Sequence, residues 1–154
     1  MSKSIILLRR PDEAFAIPGI LHIIDLLTPR WFTENVLEDT RKDLYFQDAM
    51  CLTTKDEIVS FITFTCWEGT LYITLMATHP DYQHQGYGSE LISAFFEHAK
   101  QVGFREIKLL TVPKEVKPIY ESTISFYESH GFHMSKRFAE IWNSGAIELT
   151  KILD

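Results

Sequence analysis

The stretch Ala77-Thr78-His79-Pro80-Asp81-Tyr82-Gln83-His84-Gln85-Gly86-Tyr87-Gly88-Ser89-Glu90-Leu91 decides how the rest of the chain is read. Before it, Leu71 to Thr78 reads as a strand, which His79-Pro80-Asp81 breaks. After it, Leu91, Ile92, Phe95, Phe96 and Ala99 recur at helical spacing, so Gly86 to Val102 reads as an amphipathic helix ended by Gly103. Gly86 and Gly88 therefore sit where a strand hands over to a helix. Glycine lets the backbone come close to a ligand and take conformations other residues avoid. The first amides of a helix lack an internal partner and stand at the positive end of its dipole. That combination holds phosphate. Two glycines by themselves suit a plain strand-to-helix turn as well. The turn is not a P-loop, because no Gly-Lys-Ser/Thr follows. It is not the dinucleotide fingerprint either, because Leu91 stands where the third glycine would be.

Outward from this turn the elements can be ordered. Ser4 to Arg9 reads as a first strand. Ile20, Ile23, Ile24 and Leu27 mark a helix with Pro18 near its start, closed by Thr28-Pro29. Thr33 is placed to cap a second helix, Glu34 to about Tyr45. Ala49 to Thr54 and Ile58 to Cys66 form a hairpin about Lys55-Asp56-Glu57, and Glu68-Gly69 turns the chain again. Glu106 to Val112 is a strand, Pro113 to Pro118 a loop, and Ser122 to His130 a short helix stopped by Gly131. Phe132 to Trp142 and Ala146 to Leu153 make a last hairpin about Asn143-Ser144-Gly145. The order β α α β β β α β α β β predicts a mixed α/β sheet.

Composition narrows the function classes. With 154 residues and no linker or repeat, residues 1–154 read as a single domain. Apolar residues are 45% and charged residues 23%, ordinary for a soluble globular chain. Lys plus Arg is 15 against 21 Asp plus Glu, a net charge of −6 that argues against a nucleic-acid partner. Cys51 and Cys66 give neither a disulfide framework nor a Cys-x-x-Cys metal pair, so a reducing cytoplasm and no metal are expected, with both cysteines in the core. The apolar part of Met1 to Arg10 is too short for a signal peptide. The run Phe15 to Leu27 is broken by Pro18, His22 and Asp25, so no membrane span is expected.

The glycine turn resembles the Gln/Arg-x-x-Gly-x-Gly/Ala signature of the GNAT superfamily of N-acyltransferases. A second segment, Ser125-Phe126-Tyr127-Glu128-Ser129-His130-Gly131-Phe132, is similar to that family's Phe-Tyr-Glu-x-x-Gly-Phe run, in the right order and with a strand between. The resemblance implies a GNAT-like α/β fold: a mixed, mostly antiparallel twisted sheet of about seven strands with about four helices, splayed at the central parallel strand pair. It implies a cytoplasmic N-acetyltransferase that moves an acetyl group from acetyl-CoA to a primary amine of a small molecule or peptide by direct attack, without metal. A homodimer is frequent among look-alikes.

The same resemblance assigns roles. Backbone amides of His84, Gln85, Gly86, Tyr87, Gly88 and Ser89, opened by Gln83, would hold the pyrophosphate. Leu75, Met76, Ala77 and Thr78 would pair with the pantetheine arm, the strand splaying from Lys108 to Thr111 to admit the thioester. The Met76 N–H would polarise the thioester carbonyl, and Tyr127 would protonate the departing thiolate. From the residues alone Tyr127 reads more simply as core packing beside Phe126.

Three departures stand out. His84 replaces a common glycine, which a backbone contact tolerates if φ stays negative. Thr74 stands where a glutamate base is frequent, leaving Glu68, Glu121, His22, His79 or a bound water as candidates. Tyr120 and Thr123 replace the usual asparagine and alanine. The acceptor side is implied at Leu26 to Asp43 and Phe132 to Trp142, with Trp31 and Phe32 as walls. Its acids Glu34, Glu38, Asp39 and Asp43 hint at a cationic amine, but a solvated helix face balanced by Arg30, Arg41 and Lys42 is the simpler account. Outside the enzyme class, the missing acid favours a non-catalytic acyl-CoA sensor, and the glycine turn alone would serve a nucleotide-binding domain.

Overall fold

The computed structural model describes residues 3–154. Seven strands and four helices follow in the expected order: β1 (Lys3–Leu8), α1 (Ala16–Leu26), α2 (Asn35–Asp43), β2 (Asp48–Thr54), β3 (Glu57–Trp67), β4 (Thr70–Thr78), α3 (Tyr87–Val102), β5 (Glu106–Thr111), α4 (Tyr120–Ser129), β6 (His133–Phe138) and β7 (Ala146–Ile152). A single 3-10 turn, Pro80–Tyr82, joins β4 to the glycine turn. The hydrogen-bonded strand order is β1-β2-β3-β4-β5-β7-β6. The β4/β5 pair is parallel, whereas β1/β2, β2/β3, β5/β7 and β6/β7 are antiparallel. This is the mixed, mostly antiparallel sheet with one parallel pair that the resemblance implies.

The chain divides into two compact units, residues 1–65 with 75–97, and residues 66–74 with 98–154. In the first unit β2 and β3 are joined by Lys55 and Asp56, at φ 54° and 59°. Two left-handed residues in a two-residue loop match the right-handed twist of the strands they join. Helix α1 begins under Asp12, whose Oδ1 accepts from the Ala16 N–H (2.8 Å) and whose backbone O accepts from the Ile17 N–H (2.9 Å). Its apolar stripe buries Ile20, Ile23 and Ile24 among Ala49, Cys51, Ile58 and Phe61. Gly19 lets α1 settle on β3, since a Cβ there would lie 2.8 Å from Ile58 Cδ1. Thr33 does not cap α2 as its type suggests. Its hydroxyl donates to Asn35 Oδ1 (2.5 Å), and Glu34 opens the helix without a side-chain cap.

In the second unit β5 is flanked by β4 and β7. Thr70 to Ile73 pair with Glu106 to Leu109, and β7 runs antiparallel from Thr111↔Ile147 to Glu106↔Ile152. Ile107, Leu109, Ile147 and Leu149 are buried. Strand β6 is shorter than its sequence suggests and stops at Phe138. The chain then leaves the ladder for an irregular turn in which Trp142 takes φ 55° and the Gly145 N–H bonds to Trp142 O.

Candidate active site

The first part of the site is the far end of β4. The ladder between β4 and β5 ends at Ile73↔Leu109, while β4 continues to Thr78. Side chains on β3 mark which edge faces that strand. Thr63 Oγ1 donates to Leu75 O (3.4 Å), Ser60 Oγ to Ala77 O (3.3 Å), and the His79 N–H to Val59 O (2.8 Å). Peptide groups alternate along an antiparallel strand. Those of Met76 and Thr78 therefore turn to the opposite edge. An extended amide chain laid there would find strand-like partners.

The turn beyond is pinned to this strand. Gln83 Nε2 donates to Thr78 O (3.1 Å) and Gln85 Nε2 to Asp81 O (3.2 Å). The buried His79 ring accepts the Asp81 N–H at Nδ1 (3.1 Å), ordering the Pro80–Tyr82 turn. Gly86 takes φ +84°, and a Cβ placed there would meet nothing within 4 Å. The glycine is thus demanded by backbone shape and leaves open space at the helix start. The Glu90 N–H to Gly86 O bond (3.0 Å) is the first to close into α3. The amides of Tyr87 and Gly88 precede it in the first turn, where a helix supplies no acceptors. Open space beside a helix N-terminus is where an anion is favoured. His84 corrects one expectation, for its φ is +63°. The side chain differs from glycine, yet the backbone takes the left-handed shape glycine would take, a region histidine enters more readily than most residues.

Tyr127 lies on α4 in the second unit, and its surroundings explain its motif. The Phe132 N–H bonds to Tyr127 O (3.1 Å) and the Gly131 N–H to Glu128 O (3.0 Å). With Gly131 at φ +94°, this is a Schellman cap. Its apolar contact is Phe132 edge-on to Tyr127, centroids 5.4 Å apart, and Phe126 meets the same ring at 5.4 Å. The Tyr127 side chain is 6% exposed. Its hydroxyl has no hydrogen-bond partner among the described residues, and it is not sealed from solvent. Burial, and secondarily the charge of a Tyr120 phenolate, push its pKa up.

Residues 46–134, more than half of the chain, match the family description "acetyltransferase (GNAT) domain". The chain belongs to the GNAT family. Comparison with curated protein sequences gives no match. Solved structures share the fold. One from Desulfovibrio desulfuricans, assigned to GNAT acetyltransferases, superposes with TM-score 0.82 at 16% identity, over 98% of this chain and 100% of that one. The ribosomal-protein alanine N-acetyltransferase of Escherichia coli gives 0.78 at 17% identity, over 99% and 95%. A GNAT acetyltransferase of Elizabethkingia anophelis with acetyl-CoA bound gives 0.77 at 17%, over 98% of each. Acetyl-CoA is thus the donor substrate of this GNAT protein's family.

The remaining candidates of this GNAT chain fall into place individually. Thr74 is exposed on β4. Glu68 sits in the β3–β4 turn at φ 46°, and Glu121 in the first turn of α4. His22 and His79 meet in the first unit with ring centroids 5.8 Å apart and planes tilted by 53°, and Glu57 Oε1 lies 3.8 Å from His79 Nε2. Two of the acids of α2 have local partners, Glu38 accepting from Arg41 (3.1 Å) and Asp39 from Asn35 (3.0 Å), in keeping with the solvated-face account. Trp31 and Phe32 pack on the α1 core. Cys51 is buried, which pushes its thiol up to about 12. Cys66 does not join it. Burial along β3 ends at Phe64, and Cys66 is exposed. Among the described residues no cluster of three or more His, Cys, Asp and Glu is placed to hold a metal, and no helix is long and apolar enough to cross a membrane.

Proposed function

We propose that this GNAT protein acts as one catalytic domain, residues 1–154, transferring an acetyl group from acetyl-CoA to a primary amine of a small molecule or peptide by direct attack. The observation that carries this reading is Tyr127: a phenol fixed by a helix cap and two aromatic edges, with an unpartnered hydroxyl that still reaches solvent. Core packing alone does not call for such a hydroxyl, since a phenylalanine would fill the same space against the two aromatic edges.

Bound acetyl-CoA supplies the activated acyl carbon. Amides of His84 to Ser89 take its pyrophosphate, with Gln83 keeping the turn on Thr78. The edge of Leu75 to Thr78 to which Met76 and Thr78 turn their peptide groups takes the pantetheine amides. The Met76 N–H donates to the thioester oxygen as charge gathers there. The amine nitrogen bonds to the carbonyl carbon and the C–S bond breaks. The sulfur takes the Tyr127 proton, the amine proton leaves to water, and water restores the phenol. Burial raises the Tyr127 pKa, but it raises that of a departing thiolate as well. The phenol stays protonated until the sulfur needs it.

Thr74 favours a second reading, an acyl-CoA sensor without turnover. A thermal-shift titration with acetyl-CoA, CoA, NAD and ATP, followed by thiol release over an amine panel, separates the readings. A ligand at about 100 times its Kd adds about 2.7 kcal/mol, or about 2–4 °C for a domain of this size. A shift with both CoA species and turnover on an amine supports the enzyme. A shift without turnover on any amine supports the sensor. No shift with acetyl-CoA overturns both.

A further inference from the structure

On the second unit one carboxylate is held in an unusual way. Glu148 lies on β7 with its side chain 13% exposed. Its Oε1 accepts from Ser135 Oγ (2.7 Å) and stands 3.5 Å from Lys108 Nζ. Ser135 reaches it because β6 bulges between Met134 and Lys136, and its hydroxyl also meets Thr150 Oγ1 (2.7 Å). Bulges re-aim side chains in this manner, often beside functional sites. Oε2 has no partner among the described residues. The carboxylate is thus fixed by one oxygen and open at the other.

The ladder registers show which face it occupies. Glu148 is opposite Leu110, and Lys108 is beside Tyr72. Alternation then puts Tyr72, Thr74, Lys108, Leu110 and Glu148 on one face of β4, β5 and β7. Strands β4 and β7 flank β5, so their backbones run about 10 Å apart.

We infer that Glu148 Oε2 is the anchor for a positively charged nitrogen of the acceptor, and that the acceptor carries two amines. The inference rests on the transfer reading above. An attacking amine must be neutral, whereas an ammonium held against a carboxylate is kept protonated. The nitrogen Glu148 holds is therefore not the one acetylated. The acceptor lies across this face from β7 toward Tyr72 and Thr74 of β4, one end charged on Glu148 and the other neutral. Lys108, 3.5 Å away on Oε1, already offsets part of the carboxylate's charge and so weakens its hold on a second cation at Oε2.

The test compares 1,7-diaminoheptane, a diamine long enough for that span, with n-heptylamine as acceptors, by thiol release at saturating acetyl-CoA. Wild type is expected to prefer the diamine through a lower KM. Glu148→Gln should raise the diamine KM about tenfold or more, the loss of a charged hydrogen bond, with kcat, the monoamine KM and the acetyl-CoA thermal shift unchanged. Lys108→Met should lower the diamine KM, a gain that a merely structural ion pair would not give. Equal use of the two amines by wild type overturns the proposal. So does an unchanged diamine KM in Glu148→Gln, or a fall in kcat alone. Absence of turnover on any amine in wild type overturns the transfer reading instead. If Glu148→Gln fails to fold, Ser135→Ala, which releases the fixed oxygen, must shift the diamine KM and spare the monoamine.

Discussion

Phe132 meets Tyr127 edge-on at 5.4 Å while its own N–H closes the last turn of α4 onto Tyr127 O. One residue thereby caps the helix and sets the ring. Phe132→Leu keeps the burial and the backbone bond and loses only the ring edge. It should cost less than about 1.5 kcal/mol and lower kcat, with acetyl-CoA affinity unchanged. Gly131→Ala should cost about 1–2 kcal/mol through the left-handed backbone at φ +94°, because the Lys151 Nζ it would meet is the end of a flexible side chain that can move aside. Chemical denaturation and steady-state kinetics check both.

Tyr127→Phe should cut turnover at least tenfold, since a positioned general acid typically contributes about 10²–10⁴-fold. Acetyl-CoA binding should hold. Because the hydroxyl has no protein partner, its removal should leave stability unchanged or slightly raised. A variant as active as wild type removes Tyr127 from the mechanism.

Gly86 and His84 separate backbone shape from side-chain identity. Gly86→Ala meets no protein atom, so its stability cost is only that of a left-handed alanine, about 1–2 kcal/mol. Its methyl occupies the space assigned to the pyrophosphate, so the acetyl-CoA thermal shift should vanish. His84→Gly relieves left-handed strain at φ +63° and should keep or improve stability, with binding retained. Loss of binding in His84→Gly would mean the imidazole, not the amide, serves the ligand.

Alkaline pH should weaken the fold through Cys51. Its thiol sits near 9 unfolded and about 12 folded, raised by burial. Above pH 9 the unfolded chain gives up the proton first, so it binds fewer protons than the native state and stability falls with rising pH. The slope approaches about 1.4 kcal/mol per pH unit until pH 12. Below pH 9 the contribution is complete. Melting curves of Cys51→Ala should start lower, from the lost packing, but fall less steeply between pH 9 and 10. Beyond that window the buried Tyr127 phenol adds a slope of the same sign.

The element order was legible because each boundary carries its own chemistry. Lys55-Asp56 and Glu68-Gly69 turn strands, Gly103 and Gly131 end helices, and the stripe of α3 has the period of a buried face. The early end of β6 was hidden, since Ala139 to Trp142 carry no breaker and the turn uses a left-handed tryptophan. The exposure of Cys66 was hidden too, because strand pattern does not say how far along a strand the covering helices reach. The glycine turn and Tyr127 were found through the family signature, and their physical reasons, φ +84° at Gly86 and the Schellman cap, emerge only in three dimensions. Glu148 escaped notice. Its signal was one acid amid the apolar run Ala146 to Leu149, which becomes meaningful once Lys108 and Ser135 are seen on neighbouring strands.

The contrast between the two thiols bears on how activity is measured. Cys66 is exposed beside Trp67, whereas Cys51 is buried with its thiol near 12. A chromogenic disulfide reagent should count one equivalent per native chain, at once, and a second only on unfolding. In an assay that follows CoA release the enzyme thus brings its own background, equal to its concentration. Cys66→Ser removes it. Conversely, a single maleimide at Cys66 gives a uniquely labelled protein.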